Sequence, residues 1–209
     1  TFRYFNCIII ISFGNEQKGT MKKIIIFLSI FWLAGCSTTP TLKDENDLSF
    51  HLTRTDIGTL PNPVVGRVME DQQLLTTKVQ GHELSFMSIL HRDQYGLQLT
   101  ALSAVGIRLF AIDYDGAAVR VTKYIPNMRL PDVNDIIANI MLAYYDFSVW
   151  KEYLPKDWII EDHGLNRKIL DQNDKIIIQI DYEKQHNRYL PIMITNNVLK
   201  YTINLKNLD

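Results

Sequence analysis

Cys36 is the residue in this 209-residue sequence whose neighbours specify a reaction. It ends the run Leu33-Ala34-Gly35-Cys36. An apolar stretch, Ile24 to Leu33, comes before it, and two lysines, Lys22 and Lys23, follow Met21. Basic, apolar, small, then thiol is the layout of a bacterial secretory signal. Here the cleavage region ends on a sulfur that can be alkylated. The competing readings are a membrane-spanning helix and an uncleaved signal. Ile24 to Gly35 is only twelve residues, whereas a spanning helix needs about 20 apolar ones.

Leu33-Ala34-Gly35-Cys36 resembles a lipobox, the recognition site of bacterial lipoprotein maturation. That resemblance implies a diacylglyceryl group on the Cys36 sulfur, cleavage before Cys36, and acylation of the new amino group by a palmitate-class chain. It makes residues 21–35 a signal peptide. Ser37 follows the cysteine, where an aspartate would retain an enteric-type lipoprotein at the inner membrane. The implied destination is the periplasmic face of the outer membrane, reached by export through the inner one. Residues 1–20 hold a second apolar run, Cys7 to Ile11, with no signal logic of its own, and Lys18-Gly19 is encoded by a purine-rich, ribosome-binding-like sequence just before Met21. Residues 1–20 are therefore expected to be upstream sequence, with the start at Met21.

The remaining chemistry is sparse. His51, His82, His91, His163 and His186 show no metal-ligand spacing and lie near turns or polar stretches, so all five read as surface residues. Glu161-Asp162-His163 are adjacent, and three adjacent residues cannot converge on one point from a regular element. Ser85, Ser88 and Ser103 lack a G-x-S-x-G context, and no glycine-rich phosphate loop is present. These absences predict no catalytic residue, no metal site and no cofactor. Without residues 1–35 the chain has 18 basic and 22 acidic residues, a net charge of −4, and no Lys/Arg block, which argues against nucleic acid as a partner. Cys36 is then the last cysteine, so no disulfide is expected.

Residues 36–47 are small, then charged, and read as a solvated tether. Residues 48–209 carry the globular pattern. Strands are expected at Gln72–Val79, Glu83–Leu90, Tyr95–Ala101, Ile107–Tyr114 and Val119–Val121, with tight turns such as Asp115-Gly116 between them. Val133, Ile136, Ile137, Ile140, Met141, Tyr144 and Tyr145 then repeat at helical spacing after Pro131-Asp132. A second short helix is expected within Phe147–Leu154. Trp150 and Trp158 are expected to pack against the helix and the sheet edge. Strands resume at Arg167–Leu170, Lys175–Tyr182, Pro191–Thr195 and Val198–Leu205, with Glu183–Arg188 a polar loop and Leu199, Tyr201, Ile203 and Leu205 facing inward. The expected fold is mostly β (α+β). It is a single curved antiparallel sheet, left unclosed, with a helix covering its concave face.

Two stretches resemble a known family. One is Leu99 to Leu109, with Tyr114-Asp115-Gly116 after it. The other runs from Asp135 to Ala143, through Leu154-Pro155-Lys156-Asp157-Trp158, to Arg167-Lys168-Ile169-Leu170 and Ile180-Asp181-Tyr182. Together they look like an uncharacterised family of bacterial outer-membrane lipoproteins, some of which sit in aryl-polyene biosynthesis clusters. That family is in turn similar to LolB, the outer-membrane lipoprotein receptor, an unclosed β-barrel whose apolar cavity takes acyl chains. The resemblance implies a LolB-like half-barrel over 48–209 and a lipid or other amphiphile as ligand, an aryl-polyene lipid or lipoprotein acyl chains. It also implies a LolA-like periplasmic carrier as partner. It puts Val105, before Gly106, where the receptor has an exposed membrane-touching leucine; the other reading is a turn residue folded into the core. Phe86, Leu97, Leu99, Ile107, Leu109, Ile137 and Met141 are the candidates to line a lipid cavity, against the alternative of ordinary core. The functional alternative is an accessory envelope lipoprotein acting through protein contacts.

Overall fold

The computed structural model describes residues 46–79 and 82–208. The signal segment, the lipobox and the tether as far as residue 45 lie outside the described residues.

Period-two alternation dominates the chain and yields strands. After β1 (Ser49–His51) and β2 (Ile57–Thr59), which pair only with each other, come β3 (Met69–Val79), β4 (His82–Asp93), β5 (Gly96–Leu102), β6 (Arg108–Tyr114) and β7 (Val119–Lys123). The helix α1 (Val133–Tyr144) and a 3-10 turn (Phe147–Trp150) follow. The chain ends in β8 (Ile159–Asp162), β9 (Asn166–Leu170), β10 (Ile176–Gln185), β11 (Arg188–Asn196) and β12 (Tyr201–Asn207). Among the described residues ten strands form one sheet in the order β7-β6-β5-β4-β3-β12-β11-β10-β9-β8, every pair antiparallel. The edge strands β7 and β8 do not meet, so the sheet is unclosed, as the sequence pattern predicts.

Register fixes which side chains share a face. Leu205, Leu75 and Phe86 lie across from one another, as do Leu90, Leu99, Ile112 and Val121. With Ile169, Ile178, Ile180 and Ile194 from the other half, these residues form the inner face. Helix α1 covers it with Ile137, Ala138, Met141 and Leu142, all buried. Each large apolar side chain so buried contributes about 1.5–3 kcal/mol. Asp132 starts the helix by accepting from the Asn134 amide at 3.0 Å.

The sheet itself caps the other end of α1, whose last turn has no basic residue. The Met141 carbonyl accepts from the Tyr145 amide at 2.9 Å, and the Ala143 carbonyl from the Tyr182 hydroxyl at 2.9 Å. Arg167 Nη1 donates to the carbonyls of Leu142 at 2.6 Å and Tyr145 at 2.8 Å. Its Nε and Nη2 hold Asp162 at 2.8 and 2.5 Å. A cation thus meets the negative end of the helix dipole.

Three expectations are corrected. Glu183 to Arg188 is not a loop: β10 and β11 continue to Gln185 and Arg188, and the turn closes at His186 with φ 52°. Leu199 is not on the last strand but in a turn that Asn196 caps by accepting from the Val198 and Leu199 amides at 2.9 and 2.7 Å. His91 is half-buried within β4 rather than a surface residue, with Asp93 at 3.3 Å and Glu70 at 3.8 Å. The short strands β1, β2 and β8 have too few residues to show a period. Trp150 is fully buried, edge-on to Phe50 at 5.9 Å. Trp158 donates to Gln172 at 3.1 Å.

Candidate functional site: the polar nest beneath the helix

A cluster of polar residues on the inner face lies where β12, β3 and β4 run side by side, against Tyr144 at the C-terminal end of α1. There Asn207, Gln73 and Ser88 stand in one cross-strand row, with Asp71 and Arg92 beyond. Asp71 and Arg92 are almost completely buried, at 3 % and 1 % side-chain exposure. Each sits at an inward position, Asp71 across from Leu90 and Arg92 across from Met69.

The groups are connected. Arg92 Nη2 pairs with Asp71 Oδ2. Arg188, from β11 and about half exposed, donates Nη2 to Asp71 Oδ1 at 2.7 Å. The Arg92 guanidinium stacks on the Tyr144 ring, 4.4 Å from its centre, a cation–π contact. Gln73 Nε2 donates to the Tyr144 hydroxyl and, at 2.9 Å, to Asn207 Oδ1. One aspartate between two arginines leaves the nest with one net positive charge.

Three polar atoms in this nest have no hydrogen-bond partner: Arg92 Nε, Ser88 Oγ and Asn207 Nδ2. A buried donor left unpaired costs about 1–3 kcal/mol, so this is where the packing under α1 is least satisfied. Burial, with Asp71 beside it, pushes the Tyr144 hydroxyl well above its ordinary range. Burial also raises Tyr145 and Tyr182 to about 12. All three stay neutral at physiological pH. The Ser88 hydroxyl touches no base and is not an activated nucleophile. Among the described residues no group of three His, Cys, Asp or Glu side chains could hold a metal ion, and no helix is long and apolar enough to cross a membrane.

A surface cleft of about 270 Å³, lined by Arg67, Val68, Met69, Glu70 and Arg188, adjoins the nest. Arg188 belongs to both, and Met69 is the cross-strand neighbour of Arg92.

The seven cavity candidates do not line a common hollow. Leu97, Ile137 and Met141 expose no surface and Leu99 only 2 %, so no void that admits water opens on them. Phe86 faces inward and packs edge-on to Phe110 at 5.8 Å. Leu109 has the opposite parity to the inward Phe110 and Ile112 and is half-buried. Ile107 precedes the strand and is 57 % exposed. In this structure side chains from α1 fill the space that the open sheet encloses. Val105 is 80 % exposed, at the tip of the β5–β6 turn. Ser103 organises that turn, accepting from the Gly106 amide at 2.9 Å and, through its hydroxyl, from the Ile107 amide at 3.1 Å. Gly106 takes φ +82°.

Sequence reasoning missed Asp71, Gln73, Ser88, Arg92, Arg188 and Asn207. A signal was present for two of them. In Phe86-x-Ser88-x-Leu90-x-Arg92 the polar residues share the parity of the apolar ones. Such residues are buried and must find partners.

A family model described as "Protein of unknown function (DUF3261)" matches residues 70–209. No curated protein matches the chain. Among solved structures the chain is similar to a provisionally assigned outer membrane lipoprotein-sorting protein domain from Vibrio parahaemolyticus. The identity is 10 %, over 70 % of this chain and 86 % of that one, with a TM-score of 0.34.

Proposed function

The chain belongs to the family of proteins of unknown function DUF3261, and on that footing we propose that it is a non-catalytic, lipid-anchored envelope protein that binds an amphiphile on the inner face of its sheet. Acyl chains on Cys36 hold it at the periplasmic face of the outer membrane. Two or more chains, at about 0.8 kcal/mol per buried CH₂, make such an anchor long-lived. The observation that carries the binding role is the unsatisfied nest beneath α1. The helix fills the inner face, yet three buried polar atoms under its C-terminal half have no partner. A cover seated on unpaired donors is a cover that a ligand with acceptors and an apolar chain can displace. The exposed Val105 and Ile107 at the β5–β6 tip add a contact for the bilayer surface.

Native mass spectrometry of the acylated protein from membranes tests this. The expected result is a bound species beyond the anchor, and, once it is stripped off, a site for an environment-sensitive apolar dye that added amphiphile displaces. A mass equal to the acylated chain alone, with no dye-displaceable site, would refute it.

The packed core favours a second reading: an accessory lipoprotein that acts through protein contacts. Leu97, Ile137 and Met141 leave no room among them, so the inner face serves stability alone in this reading. The same measurement decides between the two.

A further inference from the structure

We infer that the nest beneath α1 selects an amphiphile by an anionic oxygen-rich head, a phosphate ester or carboxylate carrying one negative charge. This rests on the amphiphile reading above and adds the chemistry of the head. Charge is the first argument. The ionisable groups around the nest and its adjoining cleft are Arg67, Arg92 and Arg188 against Glu70 and Asp71. One positive charge is left over, and Asp71 already spends both oxygens on Arg92 and Arg188.

Donor count is the second. Arg92 Nε and Asn207 Nδ2 can only donate, the Ser88 hydroxyl can do so, and none of the three is paired. Unpaired donors in a low-dielectric setting call for acceptors, and an oxyanion is an acceptor at every lone pair. A cationic or purely hydroxylic head would meet the wrong charge or bring further donors.

Access is the third. Arg188 is about half exposed and lines the cleft, while its Nη2 reaches the buried Asp71. A head entering at the cleft meets Arg188 first. It then draws that guanidinium from Asp71 or joins the pair. Deeper entry requires the Tyr144 ring to move off Arg92, which is the same motion of α1 that opens the inner face. Apolar side chains on the same face, Leu75 and Phe86, are half-buried beyond Gln73 and Ser88 and offer the chain its wall.

The test uses the full chain with Cys36→Ser, so that its own anchor does not compete, and calorimetric titration below micelle formation. Lauroyl-lysophosphatidylglycerol and lauroyl-lysophosphatidylcholine share a chain and a phosphate but differ in net charge. The anionic one is expected to bind about tenfold tighter, the scale of one charge-assisted contact. Arg188→Gln, at a half-exposed position that keeps a donor for Asp71, is expected to abolish that difference. Arg188→Lys is expected to restore most of it. Equal binding of the two lipids, unchanged by Arg188→Gln, would overturn the head assignment while leaving the amphiphile reading standing. No binding of either would overturn both. Inorganic phosphate competing as well as the anionic lipid would overturn the lipid head in favour of a free anion.

Discussion

Replacing Arg167 with methionine keeps most of the side chain's apolar stem and removes four charged hydrogen bonds. Two of them end α1, at the Leu142 and Tyr145 carbonyls, and two hold Asp162. Arg167 and Asp162 are 10 % and 18 % exposed. Breaking a buried ion pair by deleting one partner costs about 3–5 kcal/mol. Asp162 keeps some access to water, which places the expected loss near the lower end, about 3 kcal/mol. For a domain of this size each kcal/mol moves the melting temperature by about 2–4 °C, so a fall of roughly 6–12 °C is expected by calorimetry or circular dichroism. Arg167→Lys separates charge from geometry. Lysine retains the cation at the helix end but lacks the planar fork that reaches two carbonyls and a carboxylate together, and about half the loss is expected. A methionine variant within about 0.5 kcal/mol of the parent would refute the idea that the sheet caps the helix. A lysine variant as unstable as the methionine one would instead refute a contribution from charge at the helix end.

Gly96 and Gly106 predict opposite outcomes from one change. A Cβ at Gly96, where φ is +140°, would lie 2.2 Å from the Tyr114 carbonyl oxygen, whereas at Gly106, φ +82°, it would meet nothing. Gly96→Ala is expected to cost about 3 kcal/mol or more and Gly106→Ala about 1 kcal/mol in urea unfolding; equal costs would contradict the packing at the β5–β6 pair. Asp135 is held above its ordinary 3.8, first by burial. The folded state therefore retains a proton that the unfolded chain has released, and stability falls as pH rises through that interval. Asp135→Asn, which still accepts from the His51 amide, is expected to flatten the fall in urea midpoint as pH rises above the ordinary aspartate range; an unchanged slope would refute the assignment. Val105→Asp with Ile107→Asp is expected to leave the melting temperature unaltered and, in the Cys36→Ser chain, to lower vesicle partitioning roughly tenfold. Unchanged partitioning would remove the β5–β6 tip from the membrane contact.

Much of the architecture was legible because it rests on period. The helix reads from Val133 to Tyr145 because its apolar residues repeat at 3.6, and the structure has it at Val133–Tyr144. The strands read because their turns use turn chemistry, as at Asp115-Gly116, where Asp115 accepts from the Ala117 and Ala118 amides at 2.9 Å. Strand order was not legible, since the pairing of β3 with β12 joins residues far apart in sequence. Nor was parity at Leu109: regular pairing with β5 turns Phe110, Ile112 and Tyr114 inward, and Leu109 falls at the irregularity just beyond, between the pairs Ala101–Phe110 and Leu102–Arg108. The nest was hidden for a different reason. Asp71, Arg92 and Arg188 come from three strands, and only the folded register brings an aspartate between two arginines. Apolarity identified Leu97, Ile137 and Met141 as inward residues, but pattern alone does not distinguish a wall from a filling.

The place of the last strand governs how the molecule can be assembled. β3 to β7 form one run of neighbours and β8 to β12 another, and the two runs meet only where β12 lies against β3, at the middle of the sheet. A chain delivered amino end first, from a ribosome or through a pore, can form the first run early, but β3 keeps a bare side until residues 201–207 arrive. Its long-range pairing makes closure of that seam slow. Until then the half-made sheet presents an open strand to any neighbour, so a holding factor that shields extended chain would act on β3 before all else.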